Sequence, residues 1–191
     1  KSFEDVYKEI SDLGILTDRK DKADSIINFT KIVVKELSGK VADINEKKSV
    51  YFMWSQGLLE TSGTTSTVND LIELAGAKNA CRIPMEHVII NKEVLLEYNP
   101  DIILMWQNNR QNPEDLLKLP ELSAIRAAKS DDIYELPSVF WCDLWTLKYQ
   151  FAVKILTKYC YPDKFADMDL EAEKRKMILN LYGNRGRKLF E

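Results

Sequence analysis

Val50-Tyr-Phe-Met-Trp54 is a continuous run of β-prone apolar residues, and Ile102-Ile-Leu-Met-Trp106 repeats the same pattern further along the chain. Short apolar runs without polar alternation are typical of parallel strands that are buried on both faces. A third predicted strand, residues 133–136 (I-Y-E-L), ends at Pro137. Helical patterns separate the three predicted strands. This alternation predicts an α/β fold with a mostly parallel sheet covered by helices on both faces.

Two helices are predicted before the first strand. Residues 1–16 form a short helical pattern that closes at Gly14, and Thr17-Asp18 supply capping residues for the next helix. From residue 20 to about residue 44, apolar residues recur at helical spacing, which predicts a helix of about 25 residues and roughly 37 Å. Such a helix either spans a domain or joins two domains. Further helices are predicted over residues 68–75, from residue 91 onward, over residues 143–160 and over residues 170–182.

Composition limits the possible functions. The 191 residues carry a net charge of −3, so binding of nucleic acid has no electrostatic basis. The three cysteines are far apart and match neither a disulfide framework nor a metal-binding spacing. No apolar run approaches the ~20 residues of a membrane span. Because the chain begins with Lys1, we expect that a leader was removed or that the sequence is a fragment.

The sequence lacks the usual marks of an enzyme. It contains one histidine, His87, and has no G-x-S-x-G elbow, no phosphate-binding loop and no G-x-G-x-x-G motif. No pair of carboxylates has a spacing typical of acid–base chemistry or of a metal site. We therefore predict a protein that is not an enzyme, with no cofactor and no metal held by its own side chains.

The segments after the three strands combine aromatic rings with hydrogen-bonding side chains. They are Trp54-Ser-Gln56, Trp106-Gln-Asn-Asn-Arg110 and the pair Phe140-Trp141. In open α/β sheets, ligands bind beyond the carboxyl ends of the strands, and such a mixture suits a small molecule. An alternative is that one or two of these tryptophans only complete the core.

Several segments together resemble one family, the iron-siderophore and cobalamin substrate-binding proteins of ABC importers. Residues 61–79 resemble its loop–helix segment, and residues 93–104 (E-V-L-L-E-Y-N-P-D-I-I-L) resemble its E-x-L-L-x-x-N-P-D element. Residues 124–137 are similar to its A-V-K-x-G-x-V-Y-x-L-P strand, and residues 161–169 to its terminal Y-P-E-x-F segment. Gly76-Ala77 departs from the family's Gly-Gly turn. Because the difference is confined to a turn, it does little to weaken the resemblance.

This resemblance implies two Rossmann-like lobes joined by a single long helix, with the ligand between the lobes. Residues 1–16 would be a remnant of the N-terminal lobe, residues 17–47 the inter-lobe helix, and residues 48–191 the C-terminal α/β ligand-binding lobe. A single rigid helix between lobes permits only modest closure. Half of such a cleft is expected to bind ligand weakly.

The resemblance also implies residue roles. Glu93 matches a lobe-surface glutamate that pairs with an arginine of the membrane permease, and His87 falls where cobalamin-binding relatives place an aromatic residue against the ligand. The loops that line the cleft in this family correspond here to Trp54, Gln56, Trp106, Gln107, Arg110, Phe140, Trp141 and Trp145.

The function implied is capture of an iron-siderophore or related metal chelate outside the cytoplasm and its delivery to an ABC importer permease. The parent protein would touch the membrane only through a lipid anchor that this chain lacks. Cobalamin, haem and molybdate or tungstate are alternative ligands. A ligand-binding sensor domain and an α/β enzyme domain of similar topology are alternative functions.

Overall fold

The computed structural model describes residues 2–107 and 110–190. Its main sheet has four parallel strands in the order β3-β1-β5-β6. A separate antiparallel ladder joins β2 to β4. The strands are β1 (Ser49–Met53), β2 (Glu60–Thr61), β3 (Lys78–Asn79), β4 (Val88–Ile89), β5 (Ile102–Met105) and β6 (Ile133–Glu135).

The helices cover both faces of the main sheet. A 3-10 turn spans Pro120–Leu122. The α-helices are α1 (Phe3–Leu16), α2 (Lys20–Val41), α3 (Thr67–Leu74), α4 (Lys92–Tyr98), α5 (Pro113–Leu117), α6 (Arg126–Lys129), α7 (Tyr149–Cys160), α8 (Leu170–Tyr182) and α9 (Asn184–Arg187).

The pairing of β1 with β5 forms the centre of the fold. Val50 lies opposite Ile102 and Met53 lies opposite Met105, and all four side chains are buried. Successive side chains in a strand point to opposite faces. Val50 therefore contributes to one core with α1, α2, α3, α7 and α8, whereas Met53 contributes to a second core with α4, α5 and α6. The predicted Rossmann-like three-layer arrangement is confirmed.

Helix α1 packs on the same core as the sheet. The ring of Phe3 stacks on that of Tyr149 with centroids 3.6 Å apart, and the hydroxyl of Tyr7 hydrogen-bonds that of Tyr149. Burial raises the pKa of both phenols, Tyr7 and Tyr149. The Asp70 carboxylate accepts the backbone N–H of Phe3 at 3.1 Å. The division of the chain into an N-terminal lobe remnant (residues 1–16), an inter-lobe helix (residues 17–47) and a C-terminal lobe (residues 48–191) stays a prediction.

The bounds of three helices differ from the sequence expectations by more than one residue. Helix α1 continues past Gly14 to Leu16, where Thr17 caps it. Helix α2 has 22 residues rather than about 25 and ends at Val41. Helix α7 begins at Tyr149 instead of residue 143. The Asp143 carboxylate accepts the backbone N–H of Trp145 at 3.0 Å, which favours a turn over a helix there. Helix α8 has the predicted bounds.

Helix α2 packs along its whole length. Its buried residues extend from Ala23 near the start to Val41 at the end. At 1.5 Å per residue the helix is about 33 Å long. Within residues 2–107 and 110–190, no helix is both long and apolar enough to cross a membrane.

The end of α2 generates a stability prediction. Gly76 has φ of +78°, and a Cβ there would lie 2.6 Å from Cβ of Val41. Both the left-handed backbone and the steric overlap penalise a side chain, so Gly76→Ala should lower the free energy of unfolding by about 2–4 kcal/mol. Urea denaturation measures this change.

Gly39→Ala is the matched control. Gly39 lies inside α2 and has no atom within 4 Å of the added Cβ, so this substitution should stabilise the protein by about 0.5–1 kcal/mol. A Gly76→Ala variant as stable as the parent would show that α2 does not pack on the end of α3 as described.

Candidate functional site

Trp54 and Trp106 lie side by side at the carboxyl ends of neighbouring strands. Trp54 follows β1 and Trp106 follows β5. The backbone N–H of Trp106 donates to the carbonyl of Met53 at 2.7 Å, which extends the parallel pairing to the tryptophans. Their ring centroids are 5.5 Å apart. Ligands of open α/β sheets bind at this edge.

Trp145 completes the group. Its ring is stacked on that of Trp54 with centroids 5.9 Å apart and an interplanar angle of 11°. It meets Trp106 edge-on at 5.6 Å. We call Trp54, Trp106 and Trp145 the tryptophan cluster. Trp106 is only 7% exposed, Trp145 is 41% exposed, and Trp54 is intermediate. Trp106 thus forms the base of the cluster, and Trp145 presents a ring to solvent.

The loop after β1 holds Trp54 in place. The indole N–H of Trp54 donates to the Ser62 hydroxyl at 2.9 Å, and its backbone N–H donates to the carbonyl of Glu60 at 3.0 Å. These bonds fold the loop back onto the strand end. Sequence reasoning missed Glu60 and Ser62, because both lie in a Ser-, Thr- and Gly-rich stretch whose pattern indicates only a loop.

His87 joins the cluster through the β2–β4 ladder. Its ring centroid is 6.4 Å from that of Trp54, and its Nε2 is 2.6 Å from a carboxylate oxygen of Glu60. Both side chains are partly exposed. A carboxylate that holds one nitrogen of an imidazole fixes the ring orientation and leaves the other nitrogen for a hydrogen bond or a metal.

The polar residues of the predicted site are distributed unevenly. Gln107 is buried, whereas Gln56 and Arg110 are exposed. Asn108 and Asn109, which belong to the same predicted loop, lie outside the described residues.

Tyr51 lies on β1, and its hydroxyl donates to the carbonyl of Leu58 at 2.7 Å. Burial raises the pKa of this phenol.

Phe140 and Trp141 belong to a different neighbourhood from the tryptophan cluster. The ring of Phe140 meets that of Trp141 at 4.7 Å, and Trp141 meets Phe190 at 5.7 Å. Lys174 lies 5.2 Å from the Trp141 ring centroid. Among the described residues, no ring contact links Phe140 or Trp141 to the cluster. The segment after β6 therefore contributes Trp145 to the cluster. The pair Phe140-Trp141, which the sequence analysis placed at the end of this strand, makes no such contribution within the described residues.

Glu93 lies in the first turn of α4, two residues after the N-cap Asn91. Its side chain is exposed, and in the part of the chain that the structure describes it forms no ion pair. A carboxylate at this position is favoured by the helix dipole. It is also available to an external cation.

The three cysteines are buried. Burial raises the pKa of Cys142 and of Cys160 to about 12, so these two thiols carry no thiolate at neutral pH. Within residues 2–107 and 110–190, no group of three or more His, Cys, Asp or Glu side chains could hold a metal ion.

Comparison with known proteins agrees with this architecture. Residues 1–140 match the family model described as periplasmic binding protein. An uncharacterized ABC transporter substrate-binding lipoprotein of Bacillus subtilis, YvrC, is 27% identical over 173 residues, which cover 87% of this chain and 53% of YvrC. The high-affinity heme uptake system protein IsdE of Staphylococcus aureus is 26% identical over 72% of this chain and 50% of IsdE.

A solved structure shares the fold. The Helicobacter pylori CeuE complex with Ni-His superposes with a TM-score of 0.85 at 18% identity, over 100% of this chain and 62% of CeuE. The chain spans about half the length of the curated relatives that it matches. The match of the family model over residues 1–140 shows that this chain belongs to the periplasmic binding protein family.

Proposed function

We propose that this chain is part of the solute-binding component of an ABC importer and that its tryptophan cluster forms one wall of the ligand site. The observation that carries this proposal is the meeting of Trp54, Trp106 and Trp145 at the carboxyl ends of β1 and β5, with His87 beside them. YvrC, a relative over most of this chain, is named as an ABC transporter substrate-binding lipoprotein.

The chemistry of the cluster favours a metal chelate with aromatic or conjugated surface. Exposed indole rings bind planar ligands by stacking, and the imidazole of His87 offers a donor to a metal or to a polar group. IsdE is named for heme uptake, and CeuE was solved with Ni-His. A ferric siderophore with aromatic groups, haem and cobalamin all suit such a surface, whereas molybdate or tungstate would use few aromatic rings.

The length of the relatives supports a two-lobed parent protein. We propose that residues 48–191 form the C-terminal lobe, residues 17–47 the inter-lobe helix, and residues 1–16 the end of the N-terminal lobe. The second lobe would then cover the cluster and supply the opposite wall of the cleft. The parent protein would act outside the cytoplasm, held at the membrane by a lipid anchor, as the name of YvrC suggests for that relative.

Glu93 is proposed to dock the loaded protein on the permease. Its exposed carboxylate is free of ion pairs within the described residues and lies in the first turn of α4. An arginine on the partner would form a charge-assisted hydrogen bond with it.

A titration with chelates tests the proposed ligand site. Hemin, a ferric tricatecholate and cyanocobalamin are added to the 191-residue chain, and binding is followed by calorimetry and tryptophan fluorescence. If the opposite wall of the cleft belongs to a second lobe outside these 191 residues, the best of the three should bind with a Kd weaker than about 10 μM. Trp145→Leu should weaken that binding by about 3- to 10-fold, since it removes the exposed stacking surface.

Trp141→Leu is the matched control for this titration. It removes an indole that lies outside the cluster and should leave affinity within about twofold. Equal losses from both variants, or nanomolar binding that neither variant weakens, would contradict the proposal that the cluster forms one wall of a shared cleft.

Glu93→Gln tests the docking role separately. Binding of the chain to its importer in nanodiscs should fall by about tenfold or more, and the remaining binding should depend less on salt. Chelate affinity should not change. Glu36→Gln, which removes the same charge from the exposed side of α2, is the control. The docking role is wrong if the two variants lose importer binding to the same extent.

A further inference from the structure

A second pocket lies apart from the tryptophan cluster, between the loop after β6 and helices α8 and α9. Its volume is about 250 Å³. We propose that this pocket binds a small aromatic carboxylate, with the ring between Phe140 and Tyr182 and the carboxylate facing Lys148 and Arg185. The proposal rests on none of the residues assigned above to the chelate site except Phe140, which the structure separates from the cluster.

The pocket has an apolar floor and aromatic walls. Ile178 on α8 is 1% exposed and forms the floor together with Gly186. Phe140 is 52% exposed and Tyr182 is 50% exposed, although both are large aromatic residues. An apolar concave surface with aromatic walls is typical of a small-molecule site. Pockets for drug-sized ligands are about 300–1,000 Å³, so this smaller one suits a ligand with a single ring.

Lys148 places a fixed positive charge at the pocket. Its ammonium donates to the backbone carbonyls of Val139 at 3.1 Å and Phe140 at 3.0 Å. A lysine ammonium has three donors, so one remains for a ligand. The same nitrogen lies 5.7 Å from the Phe140 ring centroid. The two carbonyl bonds hold the charge beside the aromatic wall, where the carboxylate of an aromatic acid would lie.

Arg185 supplies a second cation from α9. Its side chain is exposed and forms no ion pair within residues 2–107 and 110–190. Asp143 is the acidic residue whose charge acts on Tyr182. The hydrogen bond that its carboxylate accepts from the backbone N–H of Trp145 leaves that charge in place. Neither Lys148 nor Arg185 forms an ion pair within the described residues, so the pocket keeps a net positive charge beside Asp143 and favours an anion.

The combination of features discriminates between ligand classes. Phosphate or acetate would use the cations but leave the apolar floor and both rings in contact with water. A neutral aromatic compound would bury its ring but leave the cations without a counter-charge. An aromatic carboxylate satisfies both parts of the pocket, because its ring and its charge are on opposite ends of one rigid group.

Fluorine NMR of 4-fluorobenzoate tests the proposal on the whole chain. A ligand of this size should give saturable binding with a Kd on the order of 0.1–1 mM. The neutral analogue 4-fluorobenzamide should bind at least about 5-fold more weakly because it lacks the charge. Acetate should not compete with 4-fluorobenzoate at concentrations near that Kd. Absence of saturable binding, or equal binding of acid and amide, would overturn the proposal.

Variants locate the site. Arg185→Met should weaken 4-fluorobenzoate binding by about 5-fold, whereas Lys176→Met, which removes an exposed cation of α8 outside the pocket, should change it by less than about twofold. Phe140→Ala should weaken binding further, with circular dichroism confirming the fold. Trp145→Leu should have no effect. Binding that depends on Trp145 and not on Arg185 would place the acid at the tryptophan cluster and would refute this second site while leaving the chelate proposal intact.

Discussion

The parallel pairing of β1 with β5 is the constraint on which the rest of the structure depends. The pairing of Val50 with Ile102 and of Met53 with Met105 leaves Trp54 and Trp106 as neighbours at the sheet edge. A shift of one residue in either strand would send every side chain of that strand to the opposite face. The buried core on each side therefore fixes the register, and the register in turn fixes the base of the ligand surface.

Two short features complete that surface. The antiparallel β2–β4 ladder brings His87 and Glu60 beside Trp54. The turn that ends at the start of α7 brings Trp145 over the other two indoles. Neither feature belongs to the main sheet. Both are positioned by it, since each begins or ends on an element packed against the strands. A rigid scaffold thus carries a site built largely from loops, as in many ligand-binding proteins.

Much of the scaffold can be predicted from the sequence. Continuous apolar runs identify β1 and β5, the β-prone segment before Pro137 identifies β6, and the helical pattern of residues 170–182 identifies α8. The two-residue strands β2, β3 and β4 are too short for any periodic signal. The late start of α7 depends on a bond from the backbone of Trp145 to Asp143, which helix propensity does not report.

The site is harder to predict than the scaffold. Residue type alone finds the tryptophans, but it cannot tell which of Trp141 and Trp145 faces the cluster. Both follow β6 in one aromatic-rich loop, and both have aromatic neighbours in the structure. The difference comes from tertiary packing. Trp141 packs against Phe190 and Lys174 near the end of the chain, whereas Trp145 packs on the ends of β1 and β5.

The most direct test of the central claim is an NMR titration that follows the four tryptophan indole N–H resonances of the 15N-labelled chain. Gallium protoporphyrin and a gallium tricatecholate serve as diamagnetic probes. If the cluster is one wall of a chelate site, the resonances of Trp54 and Trp145 shift with at least one probe, and that of Trp141 stays in place. A shift of Trp141 alone, or no shift of any indole with either probe, would contradict the account.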